Sequence, residues 1–128
     1  MMPEFTTPNG CRFTIPDQWW HFADMHLQDW RGLRFYPCNP RLTVAEVQVL
    51  PLILFKPPMR SADKAPFKKS KMLPILFALT SDEATLPPIE AAPLHGHPEF
   101  RYRIINGFHR YYVSAAIGYP SLPAVVAV

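Results

Sequence analysis

Cysteine is scarce in this chain: Cys11 and Cys38 are the two it has in 128 residues. They lie far apart and show no CxxC spacing. That excludes a disulfide-stapled scaffold and a cysteine-based zinc site, and free thiols in a reducing compartment are expected rather than a bridge. Long apolar runs are missing as well; none reaches the roughly 18–20 residues that a membrane-spanning helix needs. Residues 1–13 lack the charged and then apolar pattern of an export leader. A soluble, cytoplasmic protein with no membrane partner is therefore expected. Neither sign of charge dominates: 13 Lys and Arg stand against 10 Asp and Glu, a net +3. That balance permits a polyanionic partner without requiring one. Glycine is sparse too, at five residues.

What is plentiful is proline. Sixteen prolines are spread along the chain, so they cut it into short elements and argue against an all-α bundle. With 48% hydrophobic residues, one domain with a sizeable core is expected.

The most informative stretch is residues 102–128. Residues 102–105 form a short β-prone run. Asn106-Gly107 is a turn dipeptide, residues 108–117 are helix-compatible, and Gly118 is placed to end that helix in a left-handed conformation. Residues 122–128 are apolar and rich in Val, which predicts a buried strand. A strand that passes through Gly into a helix leaves the first backbone N–H groups without intrahelical partners, at the positive end of the helix dipole. His109 and Arg110 fall in that first turn. Together they predict an anion seat, with phosphate as its usual occupant.

Residues 1–18 are expected to be loop-rich, with a turn at Asn9-Gly10 and a short strand at Phe13-Thr14-Ile15. A helix is predicted over residues 17–30. Its apolar face would hold Trp19, Trp20, Ala23, Leu27 and Trp30, packed on the core or, alternatively, exposed to a protein partner. Residues 46–49 predict a strand, and Pro51 forces an edge position or a break before residues 52–55. Lys56-Pro57-Pro58-Met59-Arg60 reads as an extended basic loop. A helix is expected from Lys71 or Met72 to about Leu79, with Pro74 acceptable only in its first turn. Lysines at that helix start oppose the dipole, and an anion there would offset them. Residues 86–94 and 102–105 would pair as a hairpin around His95-Gly96-His97. His-x-His without a third ligand, and His21 and His26 five residues apart, are poor metal sites, so no metal is expected.

From about Val44 onward, the motifs LPL (50–52), KPP (56–58), PPIE (87–90), INGFHR (105–110), Gly118 and LPAVV (122–126) resemble the domain shared by ParB N-terminal regions and sulfiredoxin. The resemblance covers residues 44–128, with residues 1–43 as an aromatic-rich N-terminal extension packing on that core. It implies an α+β fold, a mixed sheet with a strand–Gly turn–helix phosphate site. By position, Gly107, His109 and Arg110 fall on the sulfiredoxin GCHR turn, whose His and Arg contact ATP phosphates. Lys71 matches a nucleotide-contacting lysine, and Lys56 roughly matches an arginine of the RP loop. Sulfiredoxin's nucleophilic cysteine is replaced here by Phe108, which has no thiolate, so sulfinic-acid reduction is not expected. ParB proteins carry a more acidic and arginine-rich turn and continue into a helix-turn-helix domain.

The function expected from the residues and the resemblance is nucleotide or phosphate binding through Lys56, Arg60, Lys71, Asn106, Gly107, His109 and Arg110. The implied ligand is a nucleoside triphosphate, ATP or CTP, with Mg. Nucleotide hydrolysis or phosphoryl transfer would need an acid or base, for which Glu46, Asp63 and Glu90 are candidates of unassigned rank. The alternative is a non-catalytic module of ParB type that binds a nucleic-acid backbone, or a protein partner through the Trp19/Trp20/Trp30 segment.

Overall fold

The computed structural model describes residues 4–10, 12–15, 17–22, 47–56, 69–80 and 88–126. Its elements are short, as the proline spacing requires. They are β1 (Glu4–Thr6), β2 (Arg12–Thr14), α1 (Asp17–Phe22), β3 (Gln48–Pro51), a 3-10 turn (Leu52–Leu54), β4 (Phe55–Lys56), α2 (Lys69–Thr80), β5 (Ile89–Pro93), β6 (Tyr102–Asn106), α3 (Phe108–Ile117) and β7 (Ser121–Val126).

Five strands form one mixed sheet in the order β3-β7-β5-β6-β4. The β5–β6 and β3–β7 pairs are antiparallel, whereas β5–β7 and β4–β6 are parallel. β3 lies at one edge, which is where Pro51 is tolerated because an outer N–H is not needed there. β1 and β2 pair separately as a small antiparallel hairpin. The fold is thus α+β.

One face of the five-stranded sheet carries the core. Phe55, Ile89, Ala91, Ile104, Leu122 and Ala124 are buried on it. α3 covers this face: the Tyr111 ring lies 6.2 Å from that of Phe55. α2 packs on α3, and α1 on α2. The hairpin adds an aromatic layer, with Phe13 4.8 Å from Tyr112 and Phe5 6.1 Å from Trp20.

The structure departs from expectation at several points. Residues 4–6, expected as loop, form β1, because pairing with β2 across the Asn9-Gly10 turn satisfies a run too short to show a period. The helix expected over residues 17–30 is seen at Asp17–Phe22, and residues 23–30 lie outside the described set. Pro74 sits well inside α2 and not in its first turn. Its missing N–H leaves the Ser70 carbonyl without a helical partner. Both residues are exposed, so water can serve that carbonyl. Trp20 is only 2% exposed and belongs to the core, which removes it from any partner surface; Trp19 is partly buried against the same core. Trp30 and the expected boundary at residue 43 lie outside the described residues.

Candidate functional site

The corner between β6 and α3 is built from four consecutive features. β6 pairs with β5 as Ala91↔Ile104, then Glu90↔Asn106, which leaves Ile105 as an extra residue in a bulge. Bulges bend a strand and redirect the chain beyond it. The chain then enters Gly107 at φ 111°, ψ 28°, a backbone region that side-chain-bearing residues rarely adopt. α3 starts directly, and the Tyr111 N–H closes its first turn on the Gly107 carbonyl at 3.0 Å.

Gly107 is also sterically obligatory. A Cβ built there would lie 2.6 Å from Ile89 Cγ2, 2.8 Å from Ile89 Cβ and 3.1 Å from Arg110 Nη2. The buried Ile89 side chain therefore occupies the space that any other residue would need. Glycine at this position has a packing reason of its own, whatever binds at the corner.

The same contact places Arg110. Its guanidinium lies beside the Gly107 Cα, and Nη1 donates to the Pro88 carbonyl at 2.9 Å. Thus Pro88, at the entry to β5, fixes one edge of a five-donor fork next to the helix start. Among the described residues no side chain caps the N-terminus of α3, and its first turn holds no acidic residue. His109 and Arg110 are half-buried there, while Phe108 turns inward onto the core. A cation at the positive end of a helix is unfavourable in isolation, and an oxyanion at the N–H groups reverses that sign.

The far end of α3 is closed by its own backbone. Gly118 at φ 94° lets the Tyr119 N–H reach the Ser114 carbonyl (2.9 Å) and the Gly118 N–H reach Ala115 (3.2 Å). This double bond pattern satisfies the final carbonyls and fixes the helix at ten residues.

The predicted site residues divide accordingly. Gly107, His109 and Arg110 share the corner. Asn106 borders it, exposed and paired with exposed Glu90. Lys56 is exposed on β4 opposite Arg103, three residues before Asn106, or about 10 Å along the sheet. Lys71 is exposed in the first turn of α2. Arg60, Glu46 and Asp63 lie outside the described residues. Pro88 and Ile89 complete the corner without having been expected there. PPIE at 87–90 is a motif in the sequence, but nothing local shows that its second proline accepts a hydrogen bond from residue 110. Among the described residues, no group of three or more His, Cys, Asp or Glu side chains is placed to hold a metal ion. No described helix is long and apolar enough to cross a membrane.

No protein-family model matches the sequence, and no curated protein does. Among solved structures, the chain is similar to the C-terminally truncated chromosome-partitioning protein ParB from Caulobacter crescentus complexed with CTP-gamma-S. The TM-score is 0.45 and the identity 18%, over 64% of this chain and 44% of that one. The chain therefore spans less than half the length of that ParB chain. This is a distant likeness of chain path, and no residue's role is taken from it.

Proposed function

We propose that this chain is a nucleotide-binding domain of ParB-like type whose β6–α3 corner seats a phosphate group. The observation that carries the reading is the uncapped, acid-free start of α3 with the Arg110 guanidinium anchored beside it by the Pro88 carbonyl. The resemblance of the INGFHR stretch to phosphate-holding turns supports it. The amides of the first turn and Arg110 would grip the phosphate oxygens, and His109 would add a donor at the rim. Lys56, about 10 Å along the sheet from Asn106, would contribute field, as would Lys71 in the first turn of α2. Phe108 supplies no nucleophile, so binding is the function proposed, with no covalent step.

The test is calorimetric titration of the full chain with ATP, CTP and inorganic phosphate, with and without Mg²⁺. Binding of a triphosphate is expected, weakened about 10- to 100-fold in Arg110→Ala, the range of one charge-assisted contact of about 1.5–3 kcal/mol. Arg110→Lys can keep a single hydrogen bond to Pro88 but not the planar fork, so it should retain stability and still lose affinity. Unchanged affinity in both variants, or no binding at millimolar nucleotide, refutes the proposal. Phosphate release during the titration would add turnover to it.

A further inference from the structure

The connection between β5 and β6, residues 94–101, is gathered by one histidine. Pro98 follows His97 and has no N–H, so the next two backbone donors are those of Glu99 and Phe100. Both donate to the same atom, His97 Nδ1, each at 3.1 Å. The imidazole also lies against the Phe100 ring, with centroids 5.1 Å apart and planes inclined by 36°. A single nitrogen lone pair thus folds residues 97–100 back on themselves.

That lone pair exists only in the neutral ring. In the imidazolium both nitrogens carry a proton and both are donors. Flipping the ring brings another N–H to the same place, so no orientation rescues the two contacts. Three donors would then converge with no acceptor among them, which is unfavourable. His97 is exposed, so solvent delivers the proton directly. Histidine is the side chain whose charge changes between about pH 5 and 8.

The frame on either side does not depend on the ring. The Leu94 N–H donates to the Arg101 carbonyl at 2.8 Å, and the Arg101 N–H to the Leu54 carbonyl at 2.9 Å. These two bonds anchor the base of the turn. Within it, Gly96 at φ 75° gives the tip a hinge. The other charged or ionisable side chains of the turn are His95, Glu99 and Arg101. The strands beside it add Lys56, Glu90, Tyr102 and Arg103, and the 3-10 turn Leu52–Leu54 adds none. Among the described residues none of these forms an ion pair with His97. His95 is the one other imidazole near the turn.

We infer that His97 is a pH-sensitive latch. Neutral, it holds residues 97–100 closed; protonated, it releases them while the sheet stays paired. The closed turn is therefore present at higher pH and lost as pH falls. Acid frees two backbone N–H groups at the tip of the hairpin.

The test follows ¹H,¹⁵N spectra of the full chain from about pH 8 to about pH 5, together with the His97 ring nitrogens. The Glu99 and Phe100 amide protons should move upfield along the same curve as the ring. Their protection against exchange, corrected for the intrinsic rate at each pH, should drop about 5- to 10-fold. The Leu94 and Arg101 amides should stay in place. In His97→Asn the accepting oxygen does not titrate, so both amides should hold their shifts over the whole range. His95→Gln and Glu99→Gln should leave the transition unchanged. The inference is overturned if the two amides ignore the His97 titration, if His97→Asn shows the same transition, or if His95→Gln or Glu99→Gln abolishes it. It is equally overturned if the Leu94 and Arg101 amides move along the same curve, which would make the event an unfolding of the hairpin and not the release of its tip.

Discussion

Gly107→Ala is the sharpest perturbation that the corner allows. Two costs add. Holding a non-glycine residue in left-handed backbone costs about 1–2 kcal/mol, and φ 111° lies beyond the usual left-handed well. The new methyl would also stand 2.6 and 2.8 Å from Ile89 Cγ2 and Cβ. The second of these atoms is tied to the backbone of a paired strand and cannot swing away, so overpacking adds about 1–3 kcal/mol. The sum, about 2–5 kcal/mol, is a large share of the roughly 5–15 kcal/mol by which domains are stable. At about 3–5 °C per kcal/mol for a chain of this size, the melting temperature should fall by about 10–20 °C. Circular dichroism melts and urea titrations of the full chain measure it. A double-mutant cycle separates the terms. Ile89→Ala alone should cost about 2–5 kcal/mol, because the side chain is fully buried. In the double variant the 2.6 Å contact with Cγ2 disappears, while the 2.8 Å contact with Cβ, which alanine keeps, and the backbone strain remain, so the two effects should fall short of additivity by about 0.5–1.5 kcal/mol. A Gly107→Ala chain within about 0.5 kcal/mol of the parent, or strictly additive behaviour, would refute the geometry on which the corner rests.

Tyr119 is buried after the end of α3, and burial pushes its phenol up from 10.0 to about 12. Between those values the unfolded chain releases a proton that the folded chain keeps, so stability should fall as pH rises from 10 to about 12. Tyr119→Phe should flatten that part of the curve in denaturant titrations. His97 Nδ1 accepts from the Glu99 and Phe100 amides, each at 3.1 Å, so the neutral ring should carry its proton on Nε2, readable by ¹⁵N NMR. Asn places an oxygen near Nδ1, hence His97→Asn should hold the β5–β6 hairpin better than His97→Ala, which should cost about 0.5–1 kcal/mol. Trp20 is buried, and its indole N–H lacks a partner among the described residues. Trp20→Ala should cost about 3–5 kcal/mol in chemical denaturation, whereas Trp20→Phe should be far milder.

Local signals made part of this molecule legible. Asn106-Gly107 and Gly118 mark the ends of α3 because their backbone angles, φ 111° and 94° for the two glycines, are ones that other residues avoid. Pro51 announced the edge of the sheet for a similar reason, since a missing donor is harmless only there. What stayed hidden depends on partners far away in the chain. The order β3-β7-β5-β6-β4 interleaves strands separated by dozens of residues, and no period within one strand encodes its neighbour. The bulge at Ile105 is equally invisible, since it exists only in the register between β5 and β6. Trp20 shows the limit of pattern alone. Its helical spacing puts it on an apolar face, but that Trp20 itself meets the core is decided by Phe5 on β1, a strand that three residues could not announce. Pro74 went the other way: a rule about helix interiors yielded where both Pro74 and Ser70, whose carbonyl it orphans, are exposed.

The corner therefore carries two demands that coincide in the same atoms. Packing Ile89 under the chain requires glycine at 107, and tying the entry of β5 to α3 uses the Arg110–Pro88 hydrogen bond. Neither needs a ligand. A lysine at 110 could make the one bond to Pro88, so that bond alone does not explain a guanidinium in the first turn of a helix that holds no acidic residue there. The fold also leaves the first amides of α3 without a capping side chain, although Ser, Thr, Asp or Asn before a helix would serve them at no steric cost where the backbone allowed it. Here it does not, because the strand must turn through φ 111° against Ile89. The packing constraint that dictates glycine thus strips the helix of its cap, and the uncapped amides with an arginine fixed beside them are what an oxyanion requires. In this reading the proposed phosphate seat follows from how β5 packs against the turn, so loosening the buried Ile89 should weaken nucleotide binding in the same calorimetric titration.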